Sequence, residues 1–345
     1  MTKRDFLRAL AIGAGTLAAA PPHAWADRIR LIPGEPGPRG PVISGVPSPD
    51  FRRFVGGVRV GGASRHDGLL VFWLHAADAK AAWPIATLEE ARTRGDLLVT
   101  ERAQATVPAL IVENRGATPV LLLAGEILVG GKQHRVVIED ILLAPKSGPR
   151  DLAVYCVEQG RWAGRSGDFV SKGSFAAPQL RARVMDRADQ GRVWAEVHRY
   201  ARSAKAASPT ESYQAIYDNP DVKAHQRAIE SAVGPAAAPA AHGAAVFAGE
   251  AFVGLDLFQS PDLFARQWPK LLRAHALEVY GRATTAPLDD KSRRREVDDL
   301  LRRAARAQGA LRENPGLGRL FEFRLEAARG SALIVDAEVV HTAIL

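Results

Sequence analysis

The feature that most constrains the fold is a series of short apolar segments between residues 54 and 162. Each spans three to eight residues, a length typical of β-strands, and turn-forming residues such as Gly61 and Gly116 separate them. The segments are 54–60, 69–74, 96–100, 107–113, 120–124, 127–129, 136–143 and 152–158. They predict an antiparallel, sandwich-like or barrel-like sheet, with one helix inside it over 86–94 that Thr87 caps.

Downstream of Gly173 the apolar residues recur at helical spacing. Asn219 and Ser260 are each followed by proline and aspartate, which predicts two helix starts. The segment 288–311 predicts an exposed charged helix, and the alanine- and proline-rich tract 236–245 predicts a loop or linker.

Strand patterns return at 320–325 and 332–344. We therefore predict an α+β fold in which the last strands rejoin the N-terminal sheet. The predicted domain covers 51–345 and is β-rich over 51–162, mainly helical over 174–312 and again stranded over 319–345. Two domains divided near the alanine-rich tract are the alternative.

The sequence of residues 1–26 predicts an export signal at the N-terminus. A basic start precedes an apolar run over 9–20, which is too short to span a bilayer, so no membrane anchor is expected after cleavage at Ala26. The basic start resembles a twin-arginine motif with lysine in place of the first arginine, so this route or the general secretory route would deliver the chain to the periplasm or the exterior. Residues 27–50 predict a Pro/Gly-rich extended segment.

The composition excludes several kinds of site. Cys156 is the only cysteine, so an intramolecular disulfide and thiolate-rich metal sites are excluded. The nine histidines lack metal-binding spacings, and no metal site is predicted. Acidic residues directly follow the basic run 291–295 in a chain of net charge +8, so a solvated helix face is expected there and no nucleic-acid partner.

The densest polar segment lies at 125–135. Two adjacent glycines permit unusual backbone conformations, and cationic and amide side chains follow at once. The spacing, and the lack of Ser or Thr after the lysine, exclude a phosphate loop of the nucleotide-hydrolase type. The run suits an anionic ligand, and a hairpin turn with ordinary surface charges is the alternative. Its candidate residues are Glu126, Lys132, Gln133 and Arg135.

A second polar segment begins where the predicted strand 152–158 ends. Glu158 shares a strand face with Cys156, and a carboxylate there needs a cation or a donor. A nucleophilic Cys156 is disfavoured, because single cysteines in apolar strands are usually buried and inert. A metal site formed by Glu126, His134 and Glu158 is a minor alternative. The candidate ligand-binding residues of this segment are Gln159, Arg161 and Trp162.

Together these segments resemble the ARG and rhodanese-phosphatase-superfamily-associated protein family, first type. The resemblance extends from about Gly68 to the end of the chain, and members carry asparagine where this chain has His134. It implies an α+β domain associated with ADP-ribosylglycohydrolases and, by inference, with NAD-derived or ADP-ribose metabolism. The matching residues are 125–126, 130–135, 156–162, Gln190 with 193–194, and 256–258 with Leu263, Phe264 and Trp268.

Two functions remain open at this point. In the first, an exported enzyme acts on a small anionic compound, which the resemblance would make ADP-ribose-derived or nucleotide-derived. Glu126 and Glu158 would share acid and base duties, while Lys132, Arg135 and Arg161 would clamp the anion. In the second, a non-catalytic module binds a ligand or partner, or uses its charged motifs to hold strands together. The sequence identifies no cofactor.

Overall fold

The computed structural model describes residues 42–76, 83–102, 108–161, 167–234, 240–282 and 289–345. The predicted export signal and Trp162 lie outside these ranges, as does most of the predicted extended segment 27–50. The described residues form a mixed α+β fold, which confirms the predicted fold class. Within these ranges, no helix combines the length and apolar character needed to cross a bilayer.

Eight helices and eighteen strands make up the described part of the chain. The helices are α1 (Pro49–Gly56), α2 (Leu88–Thr93), α3 (Pro178–Met185), α4 (Gln190–Ser203), α5 (Gln214–Asp218), α6 (Pro220–Val233), α7 (Pro261–Ala276) and α8 (Asp290–Ala305). The strands are β1 (Val42–Pro47), β2 (Val58–His66), β3 (Leu69–Ala76), β4 (Ala86–Thr87), β5 (Leu97–Glu101), β6 (Ala109–Asn114), β7 (Val120–Leu122), β8 (Glu126–Gly130), β9 (Arg135–Val137), β10 (Ile141–Leu143), β11 (Gly148–Cys156), β12 (Phe169–Phe175), β13 (Gly243–Ala248), β14 (Ala251–Phe258), β15 (Gln308–Glu313), β16 (Arg319–Arg324), β17 (Arg329–Val335) and β18 (Glu338–Ile344).

The largest sheet has nine antiparallel strands in the order β1-β15-β16-β17-β18-β14-β13-β3-β2. Its central strands are buried on both faces, because a core lies on each side of the sheet. Alternate side chains of a strand point to opposite sides and so enter different cores. In β3, Val71 and Trp73 face a core formed with α6 and α7, while Phe72 faces a core formed with α1 and α8. The terminal strands β17 and β18 therefore join β3 through β14 and β13.

Two further sheets lie in the order β12-β8-β9-β11-β6-β5 and β10-β7-β4. Apolar residues of both sheets share one core, against which Leu88 of α2 also packs. On the opposite side, β8, β9 and β11 contribute Ile127, Val136 and Tyr155 to a core that α3, α4 and α5 complete. This arrangement places β8 and its neighbours between helices and a second sheet.

Local signals locate three helix starts correctly. Thr87 and Glu90 form a capping box at α2, since the Thr87 hydroxyl accepts from the Glu90 N–H and the Glu90 carboxylate accepts from the Thr87 N–H. Asn219 caps α6 and Ser260 caps α7 through side-chain acceptors, as predicted.

The structure corrects several predicted elements. The segment 54–60, predicted as a strand, is divided between the end of α1 and the start of β2. Ser48 caps α1 at Pro49, and Phe51 and Val55 are buried one helical turn apart. The segment 136–143 breaks into β9 and β10 around Glu139 and Asp140, whose side chains are both bonded to distant residues.

The segment predicted to be mainly helical, 174–312, also contains strands. The hairpin β13–β14 begins within the predicted alanine-rich loop, of which residues 236–239 lie outside the described ranges. The predicted helix 288–311 ends at Ala305, and β15 follows. That helix is not exposed all round, because it buries Val297, Leu300 and Leu301 against the large sheet.

Candidate functional site

Glu158 lies just beyond the end of β11, and its carboxylate is surrounded by donors. It accepts hydrogen bonds from Arg161 Nε at 3.0 Å and Nη2 at 2.7 Å, and from Thr210 Oγ1 at 2.7 Å. The backbone N–H of His134 donates to it at 3.1 Å, and Arg161 Nη1 donates to the carbonyl of Gly131 at 2.7 Å. The ion pair therefore ties the glycine-rich loop after β8 to the segment after β11.

Gln133 lies in the interior of the same cluster and is fully buried. Its Nε2 donates to the Glu158 carbonyl at 2.8 Å, while its Oε1 accepts from Cys156 Sγ at 3.1 Å and from Arg135 Nη1 at 3.4 Å. Burial raises the pKa of the Cys156 thiol, which makes it a poor nucleophile. We call this set the loop clamp: Gln133, His134, Glu158, Arg161 and Thr210.

The predicted ligand-binding residues are thus in very different positions. The loop clamp and Arg135 lie together, but their polar groups largely contact one another and the backbone. The Lys132 side chain is exposed, and its backbone N–H donates to Glu101 Oε1 at 2.7 Å. Gln159 is partly exposed, and Trp162 lies outside the described residues. A ligand-binding role for any of them stays a prediction.

Glu126 lies at the other end of β8 from the loop clamp. Gly130, whose carbonyl Arg161 contacts at 3.3 Å, lies four positions further along, and a strand covers about 13 Å over that interval. The Glu126 carboxylate is fully buried, and its Oε1 accepts from Lys270 Nζ at 2.5 Å. The structure therefore does not bring Glu126 and Glu158 together, either as an acid/base couple or around a metal.

Glu126 belongs instead to a second cluster, below a cleft of about 220 Å³ between α2, β12 and α7. Lys270 Nζ bridges Glu126 and Glu89, whose Oε2 accepts from it at 3.0 Å, and Glu89 Oε1 accepts from Ser171 Oγ at 2.9 Å. We call the cavity the Lys270 cleft. Its lining residues are Thr87, Glu89, Glu90, Gly173, Arg266, Pro269, Lys270 and Arg273.

The pKa values of the two carboxylates that share Lys270 are shifted in opposite directions. Burial raises the pKa of Glu126 to about 7 despite the ammonium beside it, and the charge of Glu89 adds to this effect. For Glu89, burial is outweighed by the charge and hydrogen bond of Lys270, so its pKa is lowered. The two acids likewise outweigh burial at Lys270 and raise the pKa of its ammonium. Near neutral pH the cluster thus contains an ionised Glu89 and a cationic Lys270 at the cleft, with Glu126 below them near the midpoint of its titration.

Comparison with protein families identifies the chain. The family model ARPP-1, the ARG and Rhodanese-Phosphatase-superfamily-associated Protein domain, matches residues 57–345. The chain belongs to the ARPP-1 family. Comparisons with curated proteins and with solved structures found no significant match for this chain.

Two other residues of the predicted family pattern hold this ARPP-1 domain together. Gln190 of α4 accepts from the Cys156 N–H at 3.0 Å and donates to the Cys156 carbonyl at 2.8 Å, so it continues the edge of β11. Asp256 of β14 is buried, accepts from Arg181 Nη1 at 2.7 Å and lies 3.0 Å from His341 Nε2. These neighbours hold the pKa of Asp256 far below its usual value even though burial opposes ionisation.

Sequence reasoning missed Lys270 and Glu89, although a signal for the cleft was present. Arg266, Lys270 and Arg273 recur at intervals of four and three residues in a helix whose start was predicted, and this spacing places three cations on one helix face. In the described residues of the ARPP-1 domain, no cluster of three or more His, Cys, Asp or Glu side chains has the arrangement of a metal site.

Proposed function

We propose that this ARPP-1 domain binds a small anionic compound in the Lys270 cleft and exchanges protons with it. The observation that carries the proposal is the ammonium of Lys270, shared by a buried and a partly exposed carboxylate at the wall of a cavity. Pairs of acids whose pKa values are driven apart are typical of sites that divide acid and base duties.

Each group has a distinct chemical part in this proposal. Glu89 is ionised and lines the cleft, so it would act as the base that accepts a proton from a bound hydroxyl or water. Lys270 would stabilise negative charge on the ligand. Glu126 lies behind Lys270 and is a positioning residue: when it takes up a proton, Lys270 is left with one carboxylate and can pair with the ligand anion.

The rim of the cleft supports an anionic ligand. Arg266 and Arg273 extend the cationic face of α7 on either side of Lys270. Each is held by an acid, since Arg266 Nη1 bonds Glu90 at 2.8 Å and Arg273 Nη1 bonds Glu230 at 2.6 Å. Guanidinium groups fixed in this way are well suited to phosphate or carboxylate oxygens.

The ligand class that we propose is ADP-ribose-derived or nucleotide-derived, on the association that the family resemblance implies. A cavity of about 220 Å³ is smaller than the pockets that enclose drug-sized ligands, so it would take only part of such a compound. The phosphate-bearing ribose end would pair its negative charge with the cations of α7. Its hydroxyl groups would donate to Glu89.

We further propose that the chain is exported. The basic start, the apolar run over 9–20 and the small residues Ala24 and Ala26 at the expected cleavage site support this. Mass spectrometry of the N-terminus of the full-length protein, recovered from fractionated bacterial cells, would test it. A periplasmic or secreted species that begins at Asp27 is expected, and an intact N-terminus in the cytoplasmic fraction would contradict the proposal.

Binding is tested with thermal shifts of the full chain in the presence of ribose 5-phosphate, ADP-ribose or inorganic phosphate. A ligand that selects the native state raises the melting temperature. We expect a shift with at least one of these compounds that Arg266→Met, a rim variant, reduces and that Lys132→Ala leaves intact. No shift with any compound, or an equal shift in Arg266→Met, would contradict the proposal.

Turnover is tested with the compound that binds. Glu89→Gln should keep the thermal shift and lose product formation, as measured by chromatography, because the amide cannot accept the proton. If the unmodified protein binds but forms no product, the cleft belongs to the non-catalytic binding module that is the second candidate function. That outcome would refute the proton exchange while retaining the ligand site.

A further inference from the structure

A second cavity of about 380 Å³ lies where the end of α3 meets strands β15, β16 and β17. It is separate from the Lys270 cleft, with which it shares no lining residue. Three arginines from three chain segments line it: Arg187 after α3, Arg324 of β16 and Arg329 of β17. We call this cavity the arginine pocket.

The arginines of this pocket share their acidic partners. Arg324 Nη2 lies 2.8 Å from Asp186 Oδ1, and Arg329 Nη2 is bonded to the same oxygen. On the other wall, Arg187 and the neighbouring Arg312 are both bonded to a single oxygen of Glu139.

The sharing engages only part of the hydrogen-bond donor capacity of these arginines. Glu322 supplies the third acid and accepts from Arg312 at 3.0 Å. Among the described residues that line the pocket, three guanidinium groups accompany three carboxylates. Each guanidinium carries five N–H donors, so two groups on one carboxylate oxygen retain donors for a further anion.

The backbone conformation at Arg187 is a second unusual feature of this pocket. Arg187 follows the C-cap of α3 with φ of +53°, in the left-handed region where glycine or asparagine is the usual residue. An arginine there is strained, yet its side chain is almost fully buried against Glu139 at the pocket wall. The helix ending therefore places a buried guanidinium at the pocket wall at a conformational cost.

We propose that the arginine pocket is a second ligand site, which binds a small molecule through a phosphate or carboxylate group. Its volume lies in the range of pockets that hold small molecules. The anion would take up the remaining N–H donors of Arg324 and Arg329 beside Asp186. The site does not depend on the function proposed for the Lys270 cleft.

Isothermal titration of the full chain at pH 7 with inorganic pyrophosphate, and separately with malonate, tests this inference. We expect saturable binding of at least one probe, and the stronger of the two distinguishes a phosphate group from a carboxylate group. Arg324→Met should weaken that binding at least tenfold. This side chain is 74% exposed, so its replacement should leave the fold intact.

Two controls localise the effect. Arg319→Met removes one exposed arginine from the same strand, outside the pocket, and should change the affinity less than twofold. Arg266→Met, at the rim of the Lys270 cleft, should leave intact the binding event that Arg324→Met weakens, even where it weakens a separate event at the cleft. The inference is overturned if neither probe binds, or if Arg324→Met binds as tightly as the unmodified protein. If Arg266→Met alone weakens binding, the anion occupies the Lys270 cleft: the arginine pocket is refuted and the function proposed for the cleft stands.

Discussion

The loop clamp and the cluster below the Lys270 cleft each contain a buried glutamate, near opposite ends of β8, yet the two carboxylates differ in chemistry. Glu158 accepts from three side-chain or backbone donor groups, and these outweigh its burial and lower its pKa. Glu126 has one cation, and its Oε2 has no hydrogen-bond donor among the described residues. A satisfied carboxylate stays ionised and stabilises a fold, whereas an under-satisfied buried one can change its protonation state near neutral pH.

Lys270→Met tests the difference between the two carboxylates, and we expect it to have the largest effect on stability. The change removes the only cation that contacts Glu126 in the described structure, and a buried carboxylate that loses its partner typically costs about 3 to 5 kcal/mol of stability. We expect a loss of this size in the free energy of unfolding, measured with urea at pH 8, where Glu126 is mostly ionised in the folded protein.

The matched control is the double variant Lys270→Met with Glu126→Gln. It replaces the ion pair by neutral groups of similar size, so at least half of the lost stability should return. A single variant that loses less than about 1 kcal/mol, or a double variant that is no more stable than the single one, would show that the Lys270–Glu126 pair is not the buried interaction described above.

Glu158→Gln should have the next largest effect. The amide keeps the shape of the side chain but loses the charge that orders Arg161 and accepts from Thr210. Because Arg161 is 25% exposed, water can solvate its freed guanidinium, and we expect a loss of about 2 to 3 kcal/mol in urea unfolding.

Glu113→Gln provides the comparison for Glu158→Gln. Glu113 pairs with Arg115 at 2.9 Å on the surface, where ion pairs contribute at most about 1 kcal/mol. Ligand binding at the Lys270 cleft should be the same in both variants. Equal stability losses for Glu158→Gln and Glu113→Gln would remove the distinction between the clamp and an ordinary surface pair.

The contrast also shows what the sequence could predict. Glu158 and Arg161 are three residues apart, and the caps at Thr87, Asn219 and Ser260 are formed by residues within one turn. Such features are encoded locally, so strand lengths, caps and the loop clamp's charges could be recognised from the chain alone.

The partner of Glu126 could not be recognised in this way. Lys270 lies 144 positions further along the chain. Only the packing of α7 against β12, the strand paired with β8, brings the two together. The hairpin β13–β14 was missed for a related reason. Alanine has low strand propensity, and it is accommodated in β13 because the strand is buried on both faces by neighbouring layers.

A pH titration of stability sharpens the comparison further. The folded pKa of Glu126, about 7, lies above its ordinary value of 4.5, so between these values the folded protein binds more protons than the unfolded chain. The contribution of Glu126 is therefore fully present below pH 4.5 and is lost as the pH rises through 7, at a rate on the order of 1 kcal/mol per pH unit.

Glu126→Gln isolates this contribution. The amide does not ionise, so the stability difference between Glu126→Gln and the unmodified protein should shift in favour of the variant from pH 5 to pH 8. Urea unfolding at one-unit intervals measures this difference. A difference that is constant across the range would show that Glu126 is ionised throughout, as Glu158 is expected to be.

The smallest expected effect belongs to Lys132→Ala, and it bears on the sequence prediction most directly. Of the three cations predicted to clamp the anion, Lys132 is the one whose side chain is exposed, and only its backbone N–H has a described partner, Glu101. Alanine preserves that N–H, so the free energy of unfolding should change by less than about 0.5 kcal/mol.

Anion binding should also be unchanged in Lys132→Ala, because the charge lies outside both the Lys270 cleft and the arginine pocket. A loss of binding in Lys132→Ala, with Arg266→Met and Arg324→Met unaffected, would instead place the ligand on the glycine-rich loop beside the clamp, where the sequence first suggested it.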